Sequence, residues 1–177
     1  MLKSLRRLAE LQYFAGEYLA LKLTLQNGPG PISRFFFRGP QLLYKIGLSK
    51  LISNQVLLIM TTGRKSGKKR VTPLGYTYDV TTRTYYVSAG WAGRSNWYRN
   101  ALVHSKVGVK VGNYEFDAIA EPVDEGETKH LFEEYAKRNP FAERFYSQII
   151  GRPFDRSEES LREVASYFPT MALRPQS

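Results

Sequence analysis

Cysteine is absent, which removes disulfides, thiol catalysis, thiolate metal sites and iron–sulfur ligation. Histidine is almost absent. His104 and His130 are too few for a histidine-based metal centre, and neither sits in an HExxH pattern, so no metal is expected. No apolar run reaches the ~18 residues that span a bilayer. Lys3, Arg6 and Arg7 imitate the start of a signal peptide, but Glu10, Gln12 and Glu17 interrupt the apolar stretch after them and no cleavage site appears. The expected location is therefore the cytoplasm. GxGxxG is missing. The one Walker-like stretch fails, because Gly63 and Gly67 are one residue too close and Lys69, not Ser or Thr, comes after Lys68. No Ser-His-Asp, Cys-His or paired-carboxylate set presents itself. Acidic residues are scarce, 16 against 26 Lys and Arg, for a net charge of +10. That excess calls for an anionic partner.

What is present is a basic turn between two extended stretches. Val56 to Met60 is a continuous apolar run, the pattern of a strand buried on both faces. Gly63 and Gly67 then bracket a tight connection, and Arg64, Lys65, Lys68, Lys69 and Arg70 place five cations in the seven residues after Gly63. Val71-Thr72-Pro73-Leu74 resumes the extended pattern. Glycine lets backbone N–H groups approach an anion, Ser66 adds a hydroxyl, and the arginine fork suits phosphate or carboxylate. The stretch reads as an anion site at a hairpin, or as a solvated turn. The cations gather here without an RRM or helix-turn-helix signature, so nucleic acid is not the expected partner.

The 177 residues fit one domain with an appended element. Residues 1–54 read as an N-terminal helical segment, with a helix over 2–25, a break at Asn27 to Pro31 and an apolar Phe35-Phe36-Phe37 stretch. The basic amphipathic helix is a candidate contact for its own domain, for a second copy in a homodimer, or for an anionic membrane. Residues 55–177 read as the cofactor-binding domain. Residues 71–79 alternate, Asp79 to Arg83 is a turn, and Thr84 to Ala89 is a strand. A helix over about 95–103 has Ser95 or Asn96 as its cap. Val107, Val109 and Val111 pair back on Tyr114, Phe116, Ala118 and Ala120 through Gly112-Asn113. Asp124 opens a long helix, Phe141 to Ile150 forms another, Asp155 with Glu158 caps a third near 157–166, and Tyr167 to Arg174 is a last strand. The class is α+β: a mainly antiparallel sheet of about six strands, closed or half-open as a small barrel, with peripheral helices.

A second informative stretch runs from Ser88 to Asn100: a strand end, the Gly90-Trp91-Ala92-Gly93 loop and a helix start. It offers backbone donors and a helix dipole to an anion. Trp97 and Tyr98 read as core anchors or as site walls. Aromatic walls and an anion pocket without a catalytic side-chain set point to a cofactor that carries the chemistry.

Together, Thr61-Thr62-Gly63-Arg64-Lys65-Ser66-Gly67, Arg70, Thr72-Pro73-Leu74, Trp97-Tyr98-Arg99-Asn100 and Val109-Lys110-Val111-Gly112 resemble the deazaflavin-dependent nitroreductase family over roughly residues 40–140. These are split β-barrel oxidoreductases that use coenzyme F420. The resemblance implies that Arg64, Lys65 and Ser66 line the cofactor's phosphate site, with Arg70, Thr72 and Pro73 beside it. Ser88, Ala89, Gly90 and Trp91 then run along the deazaflavin, with Trp97 and Asn100 near it. It implies hydride transfer from reduced F420 to a small-molecule acceptor such as a quinone, an enone or a nitro compound. Tyr44, Trp91 and Tyr98 are then walls, and no side chain is given a proton role. The loop before Trp97 is shorter than in better-known members and lacks their lysine, so that one cofactor contact is either lost or replaced by Arg94. FMN in the same barrel, or a carrier that binds a ligand without turnover, are the alternatives.

Overall fold

The computed structural model describes residues 41–46 except 43, 55–139 and 141–176. The expected helix at 2–25, the break at 27–31, the Phe35–Phe37 stretch and most of the proposed N-terminal unit lie outside the described residues. Seven strands, β1 (Val56–Thr62), β2 (Lys69–Gly75), β3 (Thr77–Asp79), β4 (Thr84–Ser88), β5 (Lys106–Val111), β6 (Tyr114–Pro122) and β7 (Thr170–Pro175), form one sheet in the order β2-β1-β5-β6-β7-β4-β3. Every pairing is antiparallel. Among the described residues, four helices accompany it: α1 (Asn96–Val103), α2 (Glu125–Arg138), α3 (Ala142–Ile150) and α4 (Glu158–Tyr167).

The connectivity dictates the curvature. β2 and β3 lie at opposite edges of the sheet, yet only Tyr76 joins them. Laid flat, seven strands would hold those edges about 29 Å apart, whereas two Cα steps reach about 7 Å. The sheet must curl until its edges meet, and it does so as a half-barrel. The alternating stretch 71–79 is thus two strands, not one, which raises the count to seven. The break at Gly75 carries no signature of its own, because both flanks stay extended.

One face of every strand lines the barrel interior. Leu57, Ile59, Val109, Ala118, Met171 and Leu173 are essentially fully buried there, joined by Val87, Val107 and Ala120. β1 is buried on both faces, as its apolar run requires: Leu57, Ile59 and Thr61 point inward, while Val56 and Leu58 are covered outside. Part of that cover is the helical stretch that holds Gln41, Leu42, Tyr44 and Lys45. Its Tyr44 hydroxyl donates to the Val56 carbonyl at 2.7 Å and accepts from the Gly112 N–H at 3.1 Å. α1 closes one end of the barrel by inserting Trp97 and Ala101 into the core.

α2, α3 and α4 build a second, aromatic core from Phe145, Tyr146, Phe154 and Phe168, with Leu161 and Val164. Tyr86, on the outer face of β4, donates to Glu127 of α2 at 2.6 Å and ties the two cores together. Asp124 caps α2 as expected, accepting from the Glu127 N–H. The cap of α4 is Ser157, not Asp155. Asp155 instead accepts from the Ser157 N–H and the Ser160 hydroxyl, and these two serines hold its carboxyl well below the ordinary range.

Candidate active site

The β1–β2 hairpin is a closed turn. Gly63 donates to the Lys68 carbonyl at 2.9 Å, and Ser66 and Gly67 both donate back to the Gly63 carbonyl. Gly67 sits at φ +63, a conformation glycine adopts freely. Gly63 is needed for space, because a Cβ there would stand 2.8 Å from the Ser66 hydroxyl. These amides are spent on the turn itself. The expected backbone cradle for an anion is not formed, and what the hairpin presents outward is side chains. Lys65, Ser66, Lys68, Lys69 and Arg70 are all exposed.

Arg64 differs from its neighbours. It is half-buried and reaches across to α1. Its backbone N–H donates to Asn100 Oδ1 at 3.1 Å, and its Nη1 donates to the same oxygen at 3.0 Å and to Asn96 Oδ1 at 3.2 Å. Asn100 is only 4% exposed, and its Nδ2 donates to the Thr61 hydroxyl of β1. The register of β1 with β2 places Arg70 opposite Thr61 and Thr72 opposite Ile59, on the inward face. Pro73 stands opposite Leu58 and points the other way.

The second stretch enters from β4. Ser88 shares a hydrogen bond with Thr170 on the outer face, and Ala89 turns into the core with its N–H on the Pro169 carbonyl. Three consecutive residues then take left-handed backbone: Trp91 at φ 56, Ala92 at 49 and Gly93 at 71. For Trp and Ala this is strained, and such strain persists only where surrounding contacts fix it. Here they do. Ala92 N–H donates to the Tyr167 carbonyl, Arg94 donates to the Trp91 carbonyl from both its backbone N–H and its Nε, and the Ser95 hydroxyl donates to the Gly90 carbonyl. Tyr98 packs beneath Gly93, and its burial raises its hydroxyl pKa.

The two stretches meet at the first turn of α1, where Ser95 holds the Gly90 loop and Asn96, the next residue, holds Arg64. Of the residues singled out from sequence, Arg64 and Asn100 touch, and Arg70 and Thr72 share the inward face leading to them. Lys65 and Ser66 lie on the turn above. Trp91 is half-buried on the strained loop, and Trp97 is a core anchor. Tyr44 is not a wall of this site; it lies outside β1 at the opposite end of the barrel. Sequence reasoning did not assign Asn96, Ser95 or Thr61 to the site. The spacing of Asn96 and Asn100, one helical turn apart, was the available clue to a shared face.

Seven cations, Arg64, Lys65, Lys68, Lys69, Arg70, Arg94 and Arg99, lie on the two stretches that meet here. Asp79 is the only carboxylate between residues 41 and 114, a span that holds twelve Lys and Arg. Among the described residues, the ion pairs fall on the β5–β6 hairpin, on Glu121–Arg174 and on α2–α4, and none involves the basic hairpin, Arg94 or Arg99. Among them, too, no cluster of His, Asp or Glu could hold a metal ion. Arg64 keeps its Nε and Nη2 donors unmatched by any described residue, so the residues present fit an anionic group.

A curled antiparallel half-barrel closed at one end by a helix that carries a cationic site has the split-barrel architecture. Residues 45–153 match the F420H(2)-dependent quinone reductase family, and the chain belongs to that family. It is an F420H2-dependent oxidoreductase, with coenzyme F420 as its cofactor. Among solved structures, an F420-H2 dependent reductase (FDR-A) is 22% identical, with 68% of this chain and 94% of that one covered and a TM-score of 0.48. A structure described as a domain-swapped dimer is 19% identical over 82% of this chain and all of that one, with a TM-score of 0.50. A protein of unknown function from Agrobacterium tumefaciens is 16% identical over 70% of this chain and 49% of its own, also at 0.50. The likenesses at 0.50 bear on the fold alone. No curated protein matches the chain.

Proposed function

We propose that this chain reduces a quinone with reduced F420, and that the basic hairpin and the start of α1 hold the cofactor's phosphate. The observation that carries this reading is the half-buried Arg64 guanidinium, fixed by two asparagines with one edge open, in a chain of the F420H(2)-dependent quinone reductase family. Bound reduced F420 supplies a hydride from C5 of its deazaflavin. Arg64 and Arg70 bind the phosphate, with Lys65 and Ser66 at the rim. The braced Gly90–Ser95 loop offers the ring a surface that does not give way, with Trp91 and Tyr98 as its aromatic part. Conversion of a quinone to its hydroquinone takes one hydride and one proton. Cations without carboxylate partners lower the cost of the negative charge that develops on the quinone oxygen.

Oxidation of reduced F420 by purified protein, followed through the return of the oxidised cofactor's absorbance, tests the acceptor class. A quinone is expected to be turned over faster than an enone or a nitroaromatic. Turnover of the nitroaromatic alone contradicts the quinone assignment. Homodimer formation is part of the same proposal, supported by a fold relative described as a domain-swapped dimer, and sedimentation equilibrium measures it. Cytoplasmic residence with membrane contact through the N-terminal segment is proposed on its sequence pattern. Co-sedimentation with anionic vesicles, with and without residues 1–30, tests that contact.

A further inference from the structure

We propose that Asn100 is a positioning residue that acts on the cofactor through Arg64 without touching it. This rests on the reading of the hairpin as the phosphate site. The carboxamide is buried and engaged at both ends. Oδ1 receives two bonds from Arg64, which uses both of its acceptor directions, and Nδ2 donates to Thr61. Arg64 offers only donors here, so the atom facing it must be the oxygen, and the orientation of the amide is fixed by its partners. Nothing on the carboxamide oxygen is left to receive a ligand. What it controls is where the guanidinium points.

That control is needed because Arg64 stands at the N-terminus of α1. The helix end carries roughly half a positive charge and repels a cation. The oxygens of Asn100 and Asn96 offset that repulsion and hold Nη1 against the helix, which leaves Nε and Nη2 together on the free edge. An oxyanion with two oxygens, such as a phosphate, takes such an edge in paired hydrogen bonds. Asn100 also holds the Arg64 backbone N–H, so the hairpin and the guanidinium are set by a single side chain. Through the fully buried Thr61 that side chain is tied in turn to β1. Without it, the long arginine side chain regains its rotamer freedom, and binding must order it.

The test is a comparison of two probes: F420, and the deazaflavin chromophore with its ribityl chain but without phosphate or glutamates. Dissociation constants are measured by fluorescence titration for the wild type, Asn100→Ala, Arg64→Ala and the double variant. Asn100→Ala is expected to weaken F420 by about tenfold or more, the worth of hydrogen bonds to a charged group. The phosphate-free chromophore is expected to be unaffected. In the Arg64→Ala background the same substitution should cost much less, because the guanidinium it positions is gone and only the hairpin N–H is left for it to hold. Equal weakening of both probes, unchanged F420 affinity, or a full additional loss in the Arg64→Ala background each overturns the proposal.

If Asn100→Ala does not fold, Asn96→Ala carries the test. Asn96 is exposed and makes one 3.2 Å bond to the same Nη1. Its loss is expected to weaken F420 by about two- to threefold and to leave the other probe alone, and no change in F420 affinity counts against the proposal. An Arg64→Ala variant that binds F420 normally overturns the phosphate-site reading itself. An Arg64→Ala effect without an Asn100→Ala effect overturns only the positioning role.

Discussion

Gly93→Ala is a small substitution that the site loop tolerates poorly. Gly93 stands at φ +71, where an L-residue costs about 1–2 kcal/mol. The added methyl would also lie 3.2 Å from Pro169 Cγ and 3.3 Å from Tyr98 Cε1, tight enough that both must move by tenths of an ångström. The loop has little freedom to relax, because Ala92 is bonded to Tyr167, and Arg94 is bonded to Trp91. The total loss is about 2 kcal/mol, which for a chain of this size lowers Tm by roughly 4–8 °C. The neighbouring substitution has the opposite sign. Ala92 sits at φ 49, so Ala92→Gly relieves about 1–2 kcal/mol of strain and loses about 0.5–1 kcal/mol to unfolded-state entropy, a net gain on the order of 0.5 kcal/mol. Urea midpoints at equal m-values measure both changes. An unchanged midpoint for Gly93→Ala, with a lower one for Ala92→Gly, refutes the assignment of strain to this loop.

Leu57→Ala removes a fully buried side chain from the barrel core and is expected to cost about 2–5 kcal/mol in the same denaturation assay. Tyr76, the link between the two sheet edges, has its hydroxyl pKa pushed up to about 12, chiefly by burial and further by the nearby Tyr85 and Tyr44. It therefore contributes stability that is complete below about pH 10 and is lost as pH rises towards about 12. Tyr76→Phe is expected to flatten the alkaline limb of the stability curve, and an identical limb contradicts this. Asp155 has the opposite sign. Its carboxyl, held low by Ser157 and Ser160, stabilises the fold above the ordinary carboxylate range, and that contribution fades as pH falls through its lowered value. Asp155→Asn should accordingly be less stable than the wild type at pH 7 and approach it in strong acid.

Local pattern exposed the elements of this fold and hid their joints. The run Val56 to Met60 announced β1 because a strand buried on both faces needs no alternation. The hairpin of β5 and β6, and α2 with its Asp124 cap, were equally legible, because period and capping chemistry are properties of neighbouring residues. The split between β2 and β3 was not, since it is forced by the closing of the sheet and not by Gly75 or Tyr76 themselves. The cap of α4 was misassigned because Asp155 does bond to this helix start, but through the Ser160 hydroxyl. At the site, the basic hairpin and the Ser88–Asn100 stretch stood out separately by charge and by glycine content. Their union through Arg64 and Asn100, 36 positions apart, was beyond any local signal. The same holds for the use of the hairpin's own N–H groups, which depends on how the turn closes.

The most direct measurement is a titration of F420 into the wild type and into the Arg64→Ala/Lys65→Ala/Arg70→Ala variant, each followed by steady-state oxidation of reduced F420 with a quinone. A wild type that binds F420 and reduces the quinone, beside a folded variant whose F420 affinity falls by two orders of magnitude or so, is the predicted result. A variant that binds F420 as tightly as the wild type places the cofactor's phosphate elsewhere and contradicts the account.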